Sequence, residues 1–384
     1  MIAARNPLPV LRQVNWWLWL VTVALGLVSI AFLRSTTLDD PRFAHQFGKQ
    51  TLFVVTGLGI GLFALLPHYL HVRRCAWAIY GLGVLALLLL PVFGSVINGA
   101  RRWYALPGFS IQPSEFAKLG TVIGLAALLR FERPRTIGDA LIVPLLLAAV
   151  PAGLVMLQPD LGSALVFGPT ALAMCYAAGA RGRHVLGLCL LGMLALVVAY
   201  FTVMHGYQKQ RIDVWAEHWV WDENSRHARE LLRGPAYQPW QALIAMGSGG
   251  LYGFGLGNGP QNRYAFLPYR SEDYMFAVVG EEAGWLGSMA VLGLYACLVY
   301  GLLWTAQRTR ERFGRLVCVG VAAWIGSQSL MHAAVCGWLV PATGLPMPLL
   351  SYGGSSVLAT VLAIALCLNV GARREMVVAG DGFR

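Results

Sequence analysis

The sequence is poor in charged residues. Only 12% of its 384 residues are Asp, Glu, Lys or Arg, whereas 57% are hydrophobic, and the mean hydropathy is +0.60. A soluble domain of this size needs less apolar material for its core. This composition excludes an ordinary soluble enzyme and predicts a polytopic membrane protein.

The sequence also has no paired cysteine spacing and no HxxxH or similar histidine pair. This absence argues against a disulfide framework, a zinc site or a haem cage. We expect the cysteines to be small apolar packing residues and His332 to be a hydrogen-bonded packing residue. The seven cysteines, all in or beside apolar runs, are Cys75, Cys175, Cys189, Cys297, Cys318, Cys336 and Cys367.

Long hydrophobic runs are what the chain has in abundance. Crossing about 30 Å of hydrocarbon takes about 20 apolar residues in a helix, and the runs lack the alternation of a membrane β-barrel. The fold class predicted is therefore all-α, with ten transmembrane helices. The ten runs are Val14 to Leu33, Thr51 to Leu66, Ala76 to Phe93, Phe116 to Leu129, Ala140 to Leu157, Leu161 to Gly179, Val185 to Met204, Tyr274 to Trp304, Leu316 to Trp338 and Ser355 to Ala372.

Cations predict the orientation, because Lys and Arg in short loops are retained in the cytoplasm. With ten spans, most arginine clusters fall on one side and both termini are cytoplasmic. This bias, with a basic outer loop, accounts for the net charge of +11, so we expect no nucleic-acid partner. The clusters are Arg5 and Arg12, Arg73 and Arg74, Arg130, Arg133 and Arg135, Arg181 and Arg183, Arg308, Arg310, Arg312 and Arg315, and Arg373 and Arg374.

Two outer segments combine charge with a helix start. Arg101, Arg102 and Trp103 lie in a predicted loop, after which Ser114 is a candidate N-cap. Asp160 lies in a very short link between two spans, where it either caps the next helix or lines a cavity.

Glu115 and Lys118 lie three residues apart on the helix that follows the first of these segments. They can face each other as a structural ion pair. Alternatively, Lys118 with Arg101 or Arg102 can hold an anionic head group, since ammonium and guanidinium groups are the usual phosphate partners.

Two further outer segments depart from lipid-facing sequence. The first is a long polar loop, about 205–272, with Lys209 and Arg211 near its start and amphipathic sequence from Trp215 to Trp221. Its glycines resemble a phosphate loop, but no strand precedes them and no Walker lysine follows. The second runs from 340 to 354 and contains Ser351; irregular backbone at membrane depth must be buried by protein or line a wet cavity.

The long loop ends at Glu272 and Asp273, immediately before the eighth span. An acid there is a candidate for chemistry, although a helix cap is the alternative. The helix dipole should lower the pKa of Asp273, and Glu272 should raise it again by repulsion. Glu281 and Glu282 lie about two turns inside the span, where we expect a structural role.

Several of these segments, taken together and in order, resemble the SEDS family, the RodA and FtsW proteins of bacterial wall growth. The resemblance runs from the first span to Ala372. The matching strings are Arg102-Trp103, Gln112 to Lys118, Gln158 to Gly162, Tyr207 to Arg211, Gly247 to Gly250, Leu267-Pro268, Asp273 to Glu282 and Leu350 to Gly354.

The resemblance implies a single transmembrane domain, 1–384, with a short cytoplasmic tail from about residue 373. It implies a peptidoglycan glycosyltransferase of the bacterial cytoplasmic membrane that polymerises lipid II, with a class B penicillin-binding protein and membrane lipids as partners. Asp273 occupies the position of the family's catalytic carboxylate. Tyr269 and Glu272 depart from the family's usual glutamate and threonine, and the stretch from Arg211 to Tyr237 is longer than usual.

The chemistry of the implied reaction sets what the site must contain. Joining an α-linked sugar diphosphate to a 4-hydroxyl with β geometry inverts the anomeric carbon in one displacement. One base and positive charge near the diphosphate suffice. Asp273 is the predicted base. The predicted substrate-binding residues are Arg102, Trp103, Glu115, Lys118, Asp160, Lys209, Arg211 and Ser351.

No cofactor is indicated with certainty, although a divalent cation, Mg²⁺ or Mn²⁺, can assist the leaving diphosphate. Two alternatives to the enzyme remain open on the sequence. A lipid II flippase would line a translocation path with its intramembrane charges, and a scaffold would only recruit partners. The string from Tyr207 to Arg211 slightly favours a role in cell elongation over one in cell division.

Overall fold

The computed structural model describes residues 12–38, 44–97, 100–131, 141–202, 204, 206–220 and 225–373. Predictions made for Arg5, Arg133, Arg135, Trp221 and the tail beyond Arg373 lie outside these residues.

The described residues form a helical bundle with one small sheet. The helices of the first half are α1 (Trp16–Thr37), α2 (Ala44–Phe63), α3 (Tyr69–Arg74), α4 (Ala76–Phe93), α5 (Pro113–Leu129), α6 (Val143–Leu157), α7 (Leu161–Ala178) and α8 (Gly182–Thr202). Those of the second half are α9 (Gly206–Glu217), α10 (Arg226–Leu232), α11 (Tyr237–Ser248), α12 (Pro260–Arg263), α13 (Met275–Arg308), α14 (Arg312–Cys336) and α15 (Gly354–Ala372).

Within the described residues, seven helices are long and apolar enough to cross a membrane: α1, α4, α7, α8, α13, α14 and α15. The predicted class, a helical polytopic membrane protein, is confirmed. The number ten stays a prediction, because the remaining predicted spans lie in α2, α5 and α6, of which α6 is apolar but shorter.

The centre of the bundle is formed by α14, which packs against α13, α7 and α5, while α15 packs against α2. Helix α8 has no buried residue. An apolar helix that is exposed along most of its length suits a position facing lipid.

The prediction of a loop around Arg102 and Trp103 is wrong, because both residues lie in a β-strand. Strand β2 (Ala100–Leu106) lies between β1 (Ser95–Ile97) and β3 (Phe109–Ile111) in an antiparallel sheet, with Tyr104 opposite Ile111. Gly108, with φ of 86°, allows the tight turn that pairs β2 with β3.

The predicted N-cap Ser114 is also wrong. Helix α5 has Gln112 in the cap position and Pro113 as its first residue. Proline suits that place because its missing N–H would have no partner in the first turn and its φ is already helical.

Candidate active site

Asp273 lies in a tight turn just before α13. Tyr269, with φ of 53°, accepts hydrogen bonds at its carbonyl from the N–H groups of Glu272 (3.1 Å) and Asp273 (2.9 Å). The N-cap of α13 is Tyr274, and no side chain caps the helix. The alternative that Asp273 serves only as a helix cap is therefore wrong.

The carboxylate of Asp273 faces the irregular segment 340–353. A Cβ added to Gly344 would lie 3.5 Å from Asp273 Oδ2, an ordinary contact distance, so this part of the segment lies directly beside the acid. Gly344 has φ of 66°, a conformation that favours glycine.

Three charged groups from distant parts of the chain act on Asp273. Burial raises the pKa of Asp273 to about 6; Asp160 raises it further, whereas Arg211 and Arg102 lower it. The prediction that Glu272 raises this pKa is therefore wrong, because the causes that raise it are burial and Asp160. The pKa of Glu272 itself rises to about 7, through burial first and Asp273 second.

Asp160 takes the capping role that the sequence offered, and a place in the lining of a cavity stays a prediction. Its Oδ1 accepts from the N–H of Ser163 at 3.1 Å, which caps α7, and its Oδ2 accepts from the Gln112 side chain at 3.4 Å. At the same time its charge acts on Asp273. The cap fixes the carboxylate near the site.

Arg102 fixes the link that carries Asp160. Its guanidinium donates to the carbonyl of Gln158 at 2.9 Å and to that of Pro159. Trp103, which is half-buried, pairs with Ser95 in the sheet. Strand β2 therefore holds a cation within electrostatic reach of Asp273.

The two cations predicted in the long loop behave differently. Arg211 donates to the carbonyl of Ala342 at 3.0 Å, in the same segment as Gly344. The ammonium of Lys209 lies 5.8 Å from the ring centre of Tyr200, at the end of α8, and is not among the charges that act on Asp273. The structure brings Arg211 to the candidate site and draws Lys209 toward α8.

Lys118 and Glu115 form the predicted ion pair inside the bundle. The ammonium of Lys118 lies 2.8 Å from Glu115 Oε1 and donates to Gln328 Oε1, also at 2.8 Å. Both charged residues are buried, and the ring of Trp324 lies 5.3 Å from the ammonium. An ammonium has three N–H donors, and these contacts use two of them.

The segment 340–353 is irregular and its backbone is satisfied by buried side chains, as predicted for membrane depth. His332 Nδ1 bonds the carbonyl of Leu345 at 2.7 Å, and its Nε2 accepts from the N–H of Phe276 at 3.4 Å. This confirms the predicted packing role of His332. The ring also ties the first turn of α13 to the segment beside Asp273.

Ser351 has a structural place in the same segment. Its hydroxyl accepts from the N–H of Met347 at 2.9 Å, and its carbonyl accepts from Gln50 at 3.2 Å. Gln328 donates to the carbonyl of Pro346 at 2.8 Å. Sequence reasoning missed Gln50 and Gln328, although an amide in an otherwise apolar span is a signal for such a role.

Within the described part of the chain, no cluster of three or more histidine, cysteine or acidic side chains is placed to hold a metal ion. Asp273 lies within electrostatic reach of Arg211, Arg102 and Asp160.

The chain was compared with known protein families and with individual relatives. The profile described as cell cycle protein, FtsW, RodA and SpoVE, matches residues 12–376. A probable peptidoglycan glycosyltransferase FtsW of Geobacter metallireducens is 34% identical over 368 residues, which cover 93% of this chain and 94% of that protein. The corresponding FtsW of Nitrosococcus halophilus is 35% identical, with 92% and 91% covered.

Solved structures agree. A chain from a peptidoglycan synthase complex that coordinates polymerization and crosslinking superposes with a TM-score of 0.78 at 29% identity, covering 94% of this chain and 98% of that one. The rod shape determining protein RodA of Thermus thermophilus superposes with a TM-score of 0.70 at 28% identity, with 94% and 98% covered.

Proposed function

Since the chain belongs to the cell cycle protein family of FtsW, RodA and SpoVE, we propose that it is a peptidoglycan glycosyltransferase that polymerises lipid II into glycan strands. Relatives with full-length similarity carry the glycosyltransferase name. The observation that carries the proposal is the setting of Asp273, a carboxylate of raised pKa between Arg211, Arg102 and Asp160.

The reaction that this setting supports is a single inverting displacement. Asp273 removes a proton from the 4-hydroxyl of one sugar while that oxygen attacks the anomeric carbon of another, and the diphosphate leaves. A pKa of about 6 leaves most of the carboxylate ionised at neutral pH, and still basic enough to take a proton in the transition state.

Positive charge for the leaving diphosphate comes from the arginines. Arg211 and Arg102 are near enough to act on Asp273, and guanidinium groups suit phosphate oxygens. Lys118 keeps its ion pair with Glu115 and supports the site from inside the bundle. We assign Lys209 to an outer position along the lipid's approach.

The proposed setting is the outer face of the bacterial cytoplasmic membrane, with ten spans and both termini in the cytoplasm. We propose a class B penicillin-binding protein as partner, because a similar solved chain belongs to a complex that both polymerises and crosslinks. Elongation and division are both compatible with relatives of FtsW and RodA type.

The test is polymerisation of labelled lipid II by the purified protein with its partner. Wild type should form glycan, whereas Asp273→Asn should bind lipid II and lose on the order of a hundredfold or more in rate, since general-base catalysis is worth that much. The matched control is Glu272→Gln, at the neighbouring acid, which should keep polymerising.

Two outcomes would overturn the proposal. One is glycan formation by Asp273→Asn at the wild-type rate. The other is lipid movement across vesicles by a wild-type protein that forms no glycan, which would indicate a flippase.

A requirement for a divalent cation is tested separately. EDTA is added to chelate metal ions, and Mg²⁺ or Mn²⁺ is then restored. A dependence would appear as loss and recovery of the polymerisation rate.

A further inference from the structure

Two buried glutamates in α13 take no part in the proposed chemistry. Glu281 and Glu282 are 0% and 1% exposed, and the groups that donate hydrogen bonds to them are neutral. The two oxygens of Glu281 accept backbone N–H groups of α12, from Gln261 at 2.6 Å and from Asn262 at 3.1 Å. A carboxylate with two oxygens suits two parallel donors.

Glu282 joins the same short helix to α1. Its Oε1 accepts from the Asn262 side chain at 2.6 Å and from the hydroxyl of Ser35. Asn262 also donates to Ser35 Oγ at 2.9 Å, and the N–H of Gly257 donates to that oxygen at 3.1 Å. Three separate parts of the chain thus meet at one carboxylate.

The backbone of α13 is interrupted at this level. Gly284 has φ of 65° and ψ of −162° inside the helix, which frees backbone groups on either side. The carbonyls of Glu281 and Glu282 accept from Phe254 (3.1 Å) and Gly255 (2.8 Å). The loop that follows α11 therefore completes the hydrogen bonding of the broken helix.

After Gly284, the helix donates hydrogen bonds and the loop accepts them. The N–H groups of Trp285 and Leu286 donate to the carbonyls of Gly250 (2.9 Å) and Leu251 (3.1 Å). The loop and the helix are bonded along more than one residue, so the loop has a defined register on α13.

These contacts close a loop around the candidate base. Asn262 precedes Asp273 in the chain, and the two residues that it bonds, Glu281 and Glu282, follow Asp273 in α13. Arg270, between them, donates to the carbonyl of Thr36 in α1 at 2.9 Å. The turn that carries Asp273 is thereby held at both ends, as a reacting group that must lie within a few tenths of an ångström requires.

We propose that Glu281 and Glu282 are positioning residues for Asp273, which bind α12 to α13 and so hold the turn that presents the base. This inference rests on the proposed glycosyltransferase activity. It differs from a purely structural role because it predicts an effect on the rate of each folded molecule.

The two glutamates offer a matched pair of substitutions. Glu281→Gln replaces one of two accepting oxygens with an NH2 group that faces a backbone donor. Glu282→Gln keeps the bonded Oε1 and changes Oε2, which has no hydrogen-bond partner among the described residues. Glu281→Gln should lower kcat on the order of tenfold to a hundredfold with KM for lipid II little changed, and Glu282→Gln should lose less because it keeps the bonded oxygen. The control Glu230→Gln, in the exposed pair with Arg226, should match wild type.

The measurement is polymerisation by the full-length protein with its partner, per folded molecule as determined by size-exclusion chromatography. A wild-type kcat for folded Glu281→Gln, or equal losses in both variants, would overturn the inference. If Glu281→Gln does not fold, Asn262→Ala removes the side-chain donor to Glu282 and Ser35 and keeps the backbone N–H that bonds Glu281. A drop in kcat at constant KM is then required. Failure of the proposed function is distinct, because wild type would then form no glycan.

Discussion

At the scale of single residues, the decisive property is the proton affinity of Asp273. Its pKa of about 6 results from burial opposed by two arginines and reinforced by Asp160. Asp160 and Arg102 belong to neighbouring elements that the sheet and the α7 cap hold in place. The acid-base behaviour of one side chain therefore depends on contacts made far away in the sequence.

The first prediction concerns pH. Because Asp273 must be ionised to act as base, kcat/KM should rise as pH increases through about 6. Asp160→Asn removes the negative charge that raises this pKa, while asparagine still serves as an N-cap. The acidic limb should therefore move to lower pH. The measurement is the pH profile of lipid II polymerisation.

The control for this prediction is Glu230→Gln, which removes a carboxylate from an exposed ion pair with Arg226. Its profile should coincide with that of wild type. An unchanged acidic limb in Asp160→Asn, or a move to higher pH, would contradict the assignment of Asp273 as the base.

The second prediction concerns the buried ion pair. Lys118→Met leaves Glu115 without its cation in a site of 0% exposure, and breaking a buried pair costs about 3–5 kcal/mol. The midpoint of thermal unfolding in detergent should fall. The double variant Lys118→Met/Glu115→Gln should recover part of the loss, because no charge is then buried alone.

The exposed pair of Arg226 and Glu230 provides a comparison, since its side chains are 96% and 68% exposed. Arg226→Ala should alter stability by no more than about 1 kcal/mol. Equal losses in Lys118→Met and Arg226→Ala would show that burial of the Lys118 pair adds nothing.

At the scale of elements, the unusual feature is the close seating of the glycine-rich loop on the broken helix α13. A Cβ on Gly249 would lie 2.0 Å from the carbonyl oxygen of Gly280, and one on Gly253 would lie 2.2 Å from that of Glu282. The glycines serve the close approach of two backbones, both of which belong to the protein itself.

The third prediction uses two glycines of the same turn. Gly249→Ala should destabilise the protein by about 1–3 kcal/mol, as overpacking does, and should expose the loop to limited proteolysis. Gly247→Ala is the matched control, because a Cβ there meets nothing within 4 Å. Similar protease sensitivity in both variants would contradict the close seating.

At the scale of the whole molecule, the arrangement to be tested is the orientation in the membrane. The charged residues assigned to the cytoplasm and those of the long loop lie at opposite ends of the predicted spans. The proposed reaction requires the loop that ends at Asp273 to be outside, where glycan strands are built.

The fourth prediction is therefore topological. In a variant without native cysteines, a cysteine at Arg226, in α10, should react with a membrane-impermeant maleimide on intact spheroplasts. A cysteine at Arg310, between α13 and α14, should react only after permeabilisation. Both positions are exposed, so accessibility is limited by the membrane alone. Labelling of Arg310→Cys on intact spheroplasts would reverse the proposed orientation.

The sequence by itself determined the helical membrane class, and it named the cap at Asp160 and the Lys118–Glu115 pair each as one of two alternatives. Each depends on local composition or on residues a few positions apart, where spacing alone implies contact. It also singled out Asp273, since an acid beside a hydrophobic span is costly to keep there.

Only the tertiary structure decided which cations face that acid, why its pKa is raised, and what Glu281 and Glu282 bind. These properties depend on Arg102, Asp160, Arg211 and Gly344 converging from separate elements. Electrostatic energy and desolvation depend on distance in space, and sequence separation carries no information about that distance.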